Sequence, residues 1–74
     1  MLNVNERLVA STILETLGRN GSSDVEDLYK SMQKLYGGLE RRSFDETLMQ
    51  LEIQGLIHVY NMAREKRRIE LARG

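Results

Sequence analysis

The chain has 74 residues, no cysteine and no proline, and its eleven basic side chains balance eleven acidic ones. A chain of this length supports one domain with one small core, which leaves no room for a deep substrate cavity, so the expectation is a single non-catalytic domain over residues 1–74. The lack of cysteine excludes disulfides and thiolate metal ligands, and the neutral charge removes the basic excess typical of proteins that coat DNA.

The apolar runs are far shorter than a membrane span, and Met1 leads directly to Asn3, Glu6 and Arg7 with no signal-peptide core, so the chain reads as soluble and cytoplasmic. The charge is unevenly spread. Residues 1–40 carry four basic and six acidic side chains, whereas residues 41–74 carry seven and five.

A first helix is expected from about Asn5 to Leu17, with Asn5 as N-cap and Val4 stapled to Val9. Val9, Ala10, Ile13, Leu14 and Leu17 share one stripe at helical spacing, while Leu8 lies nearly opposite. Gly18 and then Asn20-Gly21 end the element. The second helix should start at a capping box of Ser23 and Glu26 and carry Val25, Leu28, Tyr29, Met32, Leu35 and Tyr36 on one face. Glu26 and Lys30 would pair on its other side. Asp24, Glu26 and Asp27 complement the macrodipole at its start, and Gly37-Gly38 stops it.

The third helix has a second possible capping box, Ser43 with Glu46, although a start near Glu40 also fits. Phe44, Leu48 and Leu51 face inward, and Gly55 is the expected residue after the C-cap. The period then changes. Leu56-Ile57-His58-Val59-Tyr60 and Arg68-Ile69-Glu70-Leu71 alternate as strands around the charged turn Ala63-Arg64-Glu65-Lys66-Arg67. Keeping Ile57, Val59, Ile69 and Leu71 on one face predicts Val59 opposite Leu71 and Asn61 opposite Ile69, with Glu65 at the centre of a mobile loop. The core is expected to hold Val9, Ile13, Leu17, Val25, Leu28, Met32, Phe44, Leu48, Leu51, Ile57 and Val59. The fold class is therefore mainly α with a small β-hairpin, which must pack on the helices because an isolated hairpin is marginal.

The segment Leu48-x-x-Leu51-Glu52-x-x-Gly55-Leu56-Ile57 resembles the winged helix-turn-helix superfamily, and the likeness extends over nearly the whole chain. It implies a third helix that sends two leucines into the core, a glycine that turns the chain, and an apolar pair entering the first wing strand. The superfamily includes transcription regulators and accessory domains of nucleic-acid enzymes. It also includes protein–protein modules, such as those of the ESCRT machinery and of proteasome-lid-like complexes. Its DNA binders usually carry a polar or basic outer face on the third helix, and here that face holds Met49 and Ile53.

Two function classes follow, of which duplex-DNA binding with transcription regulation is the reading preferred from the sequence and a protein-interaction adaptor the alternative. In the first, the domain binds duplex DNA. Arg41, Arg42 and Gln50 of the third helix approach the major groove, and Arg64, Lys66, Arg67 and Arg68 of the wing, with Arg73 beyond, hold phosphates. The simpler reading of the wing cations is a solvated tip guarded against edge pairing. In the second, Met49, Ile53 and Leu8 form an apolar contact for a protein partner or for a homodimer. The simpler reading of Met49 and Ile53 is that Met1, Leu2 or the hairpin root covers them. His58, the single histidine, reads as an outward strand residue. With no second histidine and no cysteine, neither a metal nor another cofactor is expected.

Overall fold

The computed structural model describes residues 4–72, with the side chains of Val4 and Asn5 left aside. Three helices, α1 (Val4–Asn20), α2 (Val25–Leu35) and α3 (Arg41–Ile53), pack with three short strands, β1 (Ser22–Asp24), β2 (Ile57–Asn61) and β3 (Arg67–Leu71). The sheet is antiparallel in the order β1-β3-β2. The domain is thus mainly α with a small hairpin, as expected, and the layout is compatible with a winged helix. The third strand, β1, is additional.

Each helix boundary has a local cause. α1 opens at Val4, so Asn5 stands in its first turn rather than at the cap. The expected Val4–Val9 staple, like the expected roles of Met1, Leu2 and Arg73, lies outside the described residues. α1 runs past Gly18 to Asn20 and closes with the Gly21 N–H on the Leu17 carbonyl at 2.8 Å, Gly21 taking φ +87°. The cap of α2 is Asp24, not Ser23: its Oδ1 accepts from the N–H groups of Glu26 and Asp27 at 2.9 and 3.2 Å. Ser23 is used instead as a strand residue opposite Ile69.

α3 begins at Arg41 with Glu40 as an N-cap that makes no side-chain bond, so the box of Ser43 and Glu46 does not form. Ser43 instead accepts the Thr47 hydroxyl on its carbonyl at 2.9 Å, which satisfies the one buried polar side chain among the described residues. The end of α3 is a Schellman motif. The Gly55 N–H bonds the Glu52 carbonyl at 2.9 Å and the Leu56 N–H bonds the Leu51 carbonyl at 3.0 Å, while Gly55 adopts φ +77°. This turn aims Ile57 back into the core.

The core follows the stripes: Val9, Ala10, Ile13 and Leu17 of α1, Val25, Leu28 and Met32 of α2, and Phe44, Leu48 and Leu51 of α3 close over Ile57 and Ile69. Val59 is only half-buried, and Ile69, the middle residue of the central strand, takes the position expected of it. Leu35, which helical spacing puts on the same face as Leu28 and Met32, is 64% exposed at the last turn of α2. Tyr36 closes the α1–α2 contact through Thr12, its hydroxyl 2.7 Å from Oγ1.

The hairpin register differs from the expected one by two residues. Val59 faces Ile69, Ile57 faces Leu71 and Asn61 faces Arg67, so the loop centres on Arg64. A shift of two keeps every side chain on its face, so the facial argument alone does not separate the two registers. The observed one shortens the loop to residues 62–66 and adds a further rung, the Met62 N–H to the Lys66 carbonyl. A shorter loop costs less closure entropy, which favours this choice. Within the loop Arg64 and Glu65 both take positive φ, 62° and 63°. No helix of the described residues is long and apolar enough to cross a membrane.

Candidate functional site

The surface in question comprises α3 and the hairpin that follows it. With Phe44, Thr47, Leu48 and Leu51 buried, the helical period turns Arg42, Glu46, Met49 and Ile53 outward. Met49 is 54% and Ile53 71% exposed, so the hairpin root does not cover them. They are four residues apart and form one apolar ridge. Beside it, Arg42 Nε meets Glu46 Oε1 at 3.3 Å, an exposed pair within the same helix.

Arg41 belongs to a different environment. Its Nη1 and Nη2 donate to Glu26 Oε1 and Oε2 at 2.6 and 2.7 Å, and its Nε donates to Asp45 Oδ1 at 2.9 Å. Its guanidinium carbon lies 5.1 Å from the Tyr29 ring centre and 5.8 Å from that of Phe44, rings that themselves meet at 5.0 Å. The hydrogen bonds from Arg41 hold the Glu26 carboxyl below its ordinary value of 4.5, and the bonds to Glu26 and then Asp45 hold the guanidinium more firmly protonated. Glu26 therefore pairs with Arg41 rather than with Lys30. Arg41 acts as a clamp between α2 and α3, with three of its five N–H donors occupied by carboxylates.

Gln50 lies on the other flank of α3. It lines a shallow groove against α1 together with Arg7, Ser11, Leu14, Gln54 and Leu56. The structure therefore separates the three α3 residues of the DNA reading: Arg41 faces α2, Gln50 faces α1, and Arg42 stands on the outer face between them.

The wing cations are also distributed. Arg64 and Lys66 are exposed at the tip. Lys66 and Arg67 line a cleft shared with Asp24, Glu26, Asp27 and Glu65, so four carboxylates surround two cations there. Arg67 is near enough to Glu26 to contribute to its lowered pKa. Arg68 lies on the outer side of the sheet, where Nη2 donates to Ser22 Oγ at 2.8 Å. Leu8 stands on the outer face of α1 beside Tyr36, whose hydroxyl donates to its carbonyl at 3.4 Å, and not on the ridge of Met49 and Ile53.

His58 is exposed on the outer side of β2, opposite Glu70. Among the described residues no group of three or more histidine, cysteine, aspartate or glutamate side chains is placed to hold a metal ion. The residue that sequence reasoning left out is Glu26 as partner of Arg41. The two are fifteen positions apart, and only the folding of α2 against α3 brings them together. No protein-family model, no curated protein and no solved structure matches the chain.

Proposed function

We propose that this chain is a non-catalytic winged-helix module that binds a protein partner through the outer face of α3. The observation that carries the reading is the exposed ridge of Met49 and Ile53 at the centre of that face, where a DNA-reading helix presents polar or basic groups. Apolar area in a charged rim is the usual composition of a protein contact, and here the rim is the Arg42–Glu46 pair. The partner would bring an apolar side chain to the ridge and tolerate both signs of charge around it. Two further points support the reading. Arg41, the best-placed cation at the helix entrance, is consumed by Glu26 and Asp45, and the carboxylates of the wing cleft would repel phosphates.

The second reading is duplex-DNA binding and transcription regulation. It is favoured by the exposure of Arg64 and Lys66 at the wing tip and by the 89% exposure of the Arg42 side chain. Titration with duplex DNA at two salt concentrations, followed by amide chemical shifts, separates the two. Protein binding through α3 predicts no saturable shift at the wing even at low salt. Saturable shifts at Arg42, Arg64 and Lys66 that weaken steeply with salt would transfer the function to nucleic acid.

A further inference from the structure

β2 is a terminal strand of the sheet, and its outer edge can be read from the hydrogen-bond alternation. The Ala72 N–H bonds the Leu56 carbonyl and the Met62 N–H bonds the Lys66 carbonyl, so both are hydrogen-bonded pairs of the antiparallel ladder. By alternation His58/Glu70 and Tyr60/Arg68 are hydrogen-bonded pairs as well, and Ile57, Val59 and Asn61 direct their N–H and C=O groups away from β3. Among the described residues no hydrogen bond occupies those of Val59 and Asn61. Ile57 is 1% exposed, so the edge is closed there. At the other end the chain leaves extended geometry at Ala63, after Met62 with φ −105° and ψ 172°. The open edge is thus His58–Met62, and its centre is Tyr60.

Sheet edges are normally guarded by a lysine, a proline, a bulge or a cover. This one has none of the side-chain guards: Leu56–Met62 contains no charged residue and no proline. Tyr60 and Met62 stand 38% and 47% exposed on it.

We propose that β2 pairs antiparallel with β2 of a second copy of this chain across a two-fold axis at Tyr60, joining the two sheets into one of six strands. The bounds of the open edge select this register. Centring on Val59 would need the buried Ile57, and centring on Asn61 would need Ala63 in the turn. At Tyr60, each Val59 meets Asn61 of the second copy as a hydrogen-bonded pair, which satisfies the outward groups of both residues in both copies. Tyr60 then lies against Tyr60 of the second copy at a close, non-hydrogen-bonded position, and His58 lies against Met62. No like charges oppose one another along the seam. On the outer side the two flanking rows run from Glu70 through His58 and Met62 to Lys66 of the second copy, with opposite charges at their ends. The central row runs from Arg68 through the two Tyr60 rings to Arg68 of the second copy, which holds those two cations on the far strands, away from the seam. An unrelated extended peptide could satisfy the backbone groups, but it would not account for an uncharged, self-matching edge with an aromatic at its centre. The contact is small beside a standard interface, so the association is weak and depends on concentration. It uses the sheet edge, not the α3 face, and does not depend on the partner proposed above.

The test uses the full chain between micromolar and millimolar concentration, with sedimentation equilibrium and amide hydrogen exchange. The expected result is a monomer–dimer equilibrium in which the amides of Val59 and Asn61 gain protection with concentration, while those of His58 and Tyr60 are protected throughout. Tyr60→Lys should keep the helical circular dichroism and weaken association by roughly tenfold or more, because it sets like charges opposite each other. The chain has no cysteine. A Tyr60→Cys variant should therefore cross-link to a dimer under mild oxidation far faster than Arg42→Cys, since Cα atoms of a non-hydrogen-bonded pair lie within disulfide range. A monomer at millimolar concentration, with Val59 and Asn61 unprotected and equal cross-linking of the two cysteine variants, overturns the proposal. So does a dimer that Met49→Asp disperses and Tyr60→Lys leaves intact, which would place the contact on α3.

Discussion

Arg41 and Glu26 are joined by two parallel hydrogen bonds of 2.6 and 2.7 Å between the first turns of α3 and α2, and Asp45 takes the remaining edge of the same guanidinium. The arrangement ties the two helices together at one end, where α3 lacks a side-chain cap. Arg41→Ala should therefore lower the unfolding free energy by about 1–2 kcal/mol, a value reduced by the partial exposure of both partners. Arg41→Lys should recover only part of it, because an ammonium cannot match both carboxylate oxygens. Urea denaturation of the three proteins measures this. Equal midpoints would show that Arg41 is not a structural clamp and return it to the list of free cations.

The same pair gives a pH dependence. The carboxyl of Glu26 titrates below its ordinary value, so the folded state binds fewer protons than the unfolded state near that pH. The stabilising contribution is complete above the unfolded value near 4.5 and is lost as pH falls through the lower value in the fold. Thermal melts of the parent and of Glu26→Gln should differ at pH 6 and converge in acid. A difference that persists unchanged to pH 2 would mean that Glu26 acts through shape rather than charge.

Ile69 and Val59 face each other across the hairpin, yet Ile69 is fully buried and Val59 is not. Ile69→Ala and Leu48→Ala should each cost about 2–5 kcal/mol, a large share of the stability of so small a domain. Val59→Ala should cost clearly less. Similar losses at Val59 and Ile69 would contradict this placement of the hairpin on the core.

The helix stripes were legible because burial repeats at helical spacing. Val9, Ile13, Leu17, Leu28, Met32, Phe44, Leu48 and Leu51 all point where that spacing sends them. The strand Ser22–Asp24 was not legible, since three polar residues carry no alternation and become a strand only by pairing with β3. The register slipped by two for a related reason: faces repeat every two residues, and only the extra rung at Met62 and the shorter loop distinguish the alternatives. The cap at Asp24 was hidden by the equally suitable Ser23 beside it. At the candidate site, Met49 and Ile53 were visible as an apolar pair on the outer face, but the commitment of Arg41 was not, because charge alone does not reveal a partner fifteen positions away.

Arg64 and Glu65 occupy the left-handed region, which costs an L-residue about 1–2 kcal/mol, whereas glycine enters it freely at an entropic cost of about 0.5–1 kcal/mol. Arg64→Gly or Glu65→Gly should thus raise the melting temperature by a few degrees. Ala63→Gly should not, because Ala63 keeps negative φ. Scanning calorimetry of the three variants decides it. Destabilisation by all three would show that the tip does not hold this conformation.

The ridge on α3 makes the last prediction, which separates folding from function. Met49 and Ile53 are mostly exposed, so replacing them removes little buried area, and the fold should remain within about 0.5 kcal/mol of the parent. The choice of residue matters at Ile53. It is the final residue of α3, where the negative end of the helix dipole disfavours a carboxylate, so Ile53→Lys is the cleaner change there and Met49→Asp the cleaner one nearer the middle. If the ridge is a protein contact, either substitution should reduce the affinity of an identified partner by tenfold or more, since a charge buried without a counter-charge in an apolar interface costs several kcal/mol. Arg64→Ala with Lys66→Ala should leave that affinity nearly unchanged. Calorimetric titration of the partner against all variants, each first shown to melt like the parent, provides the measurement. Loss of binding in the wing variant with full binding in Met49→Asp and Ile53→Lys would exclude the ridge and put the contact on the wing.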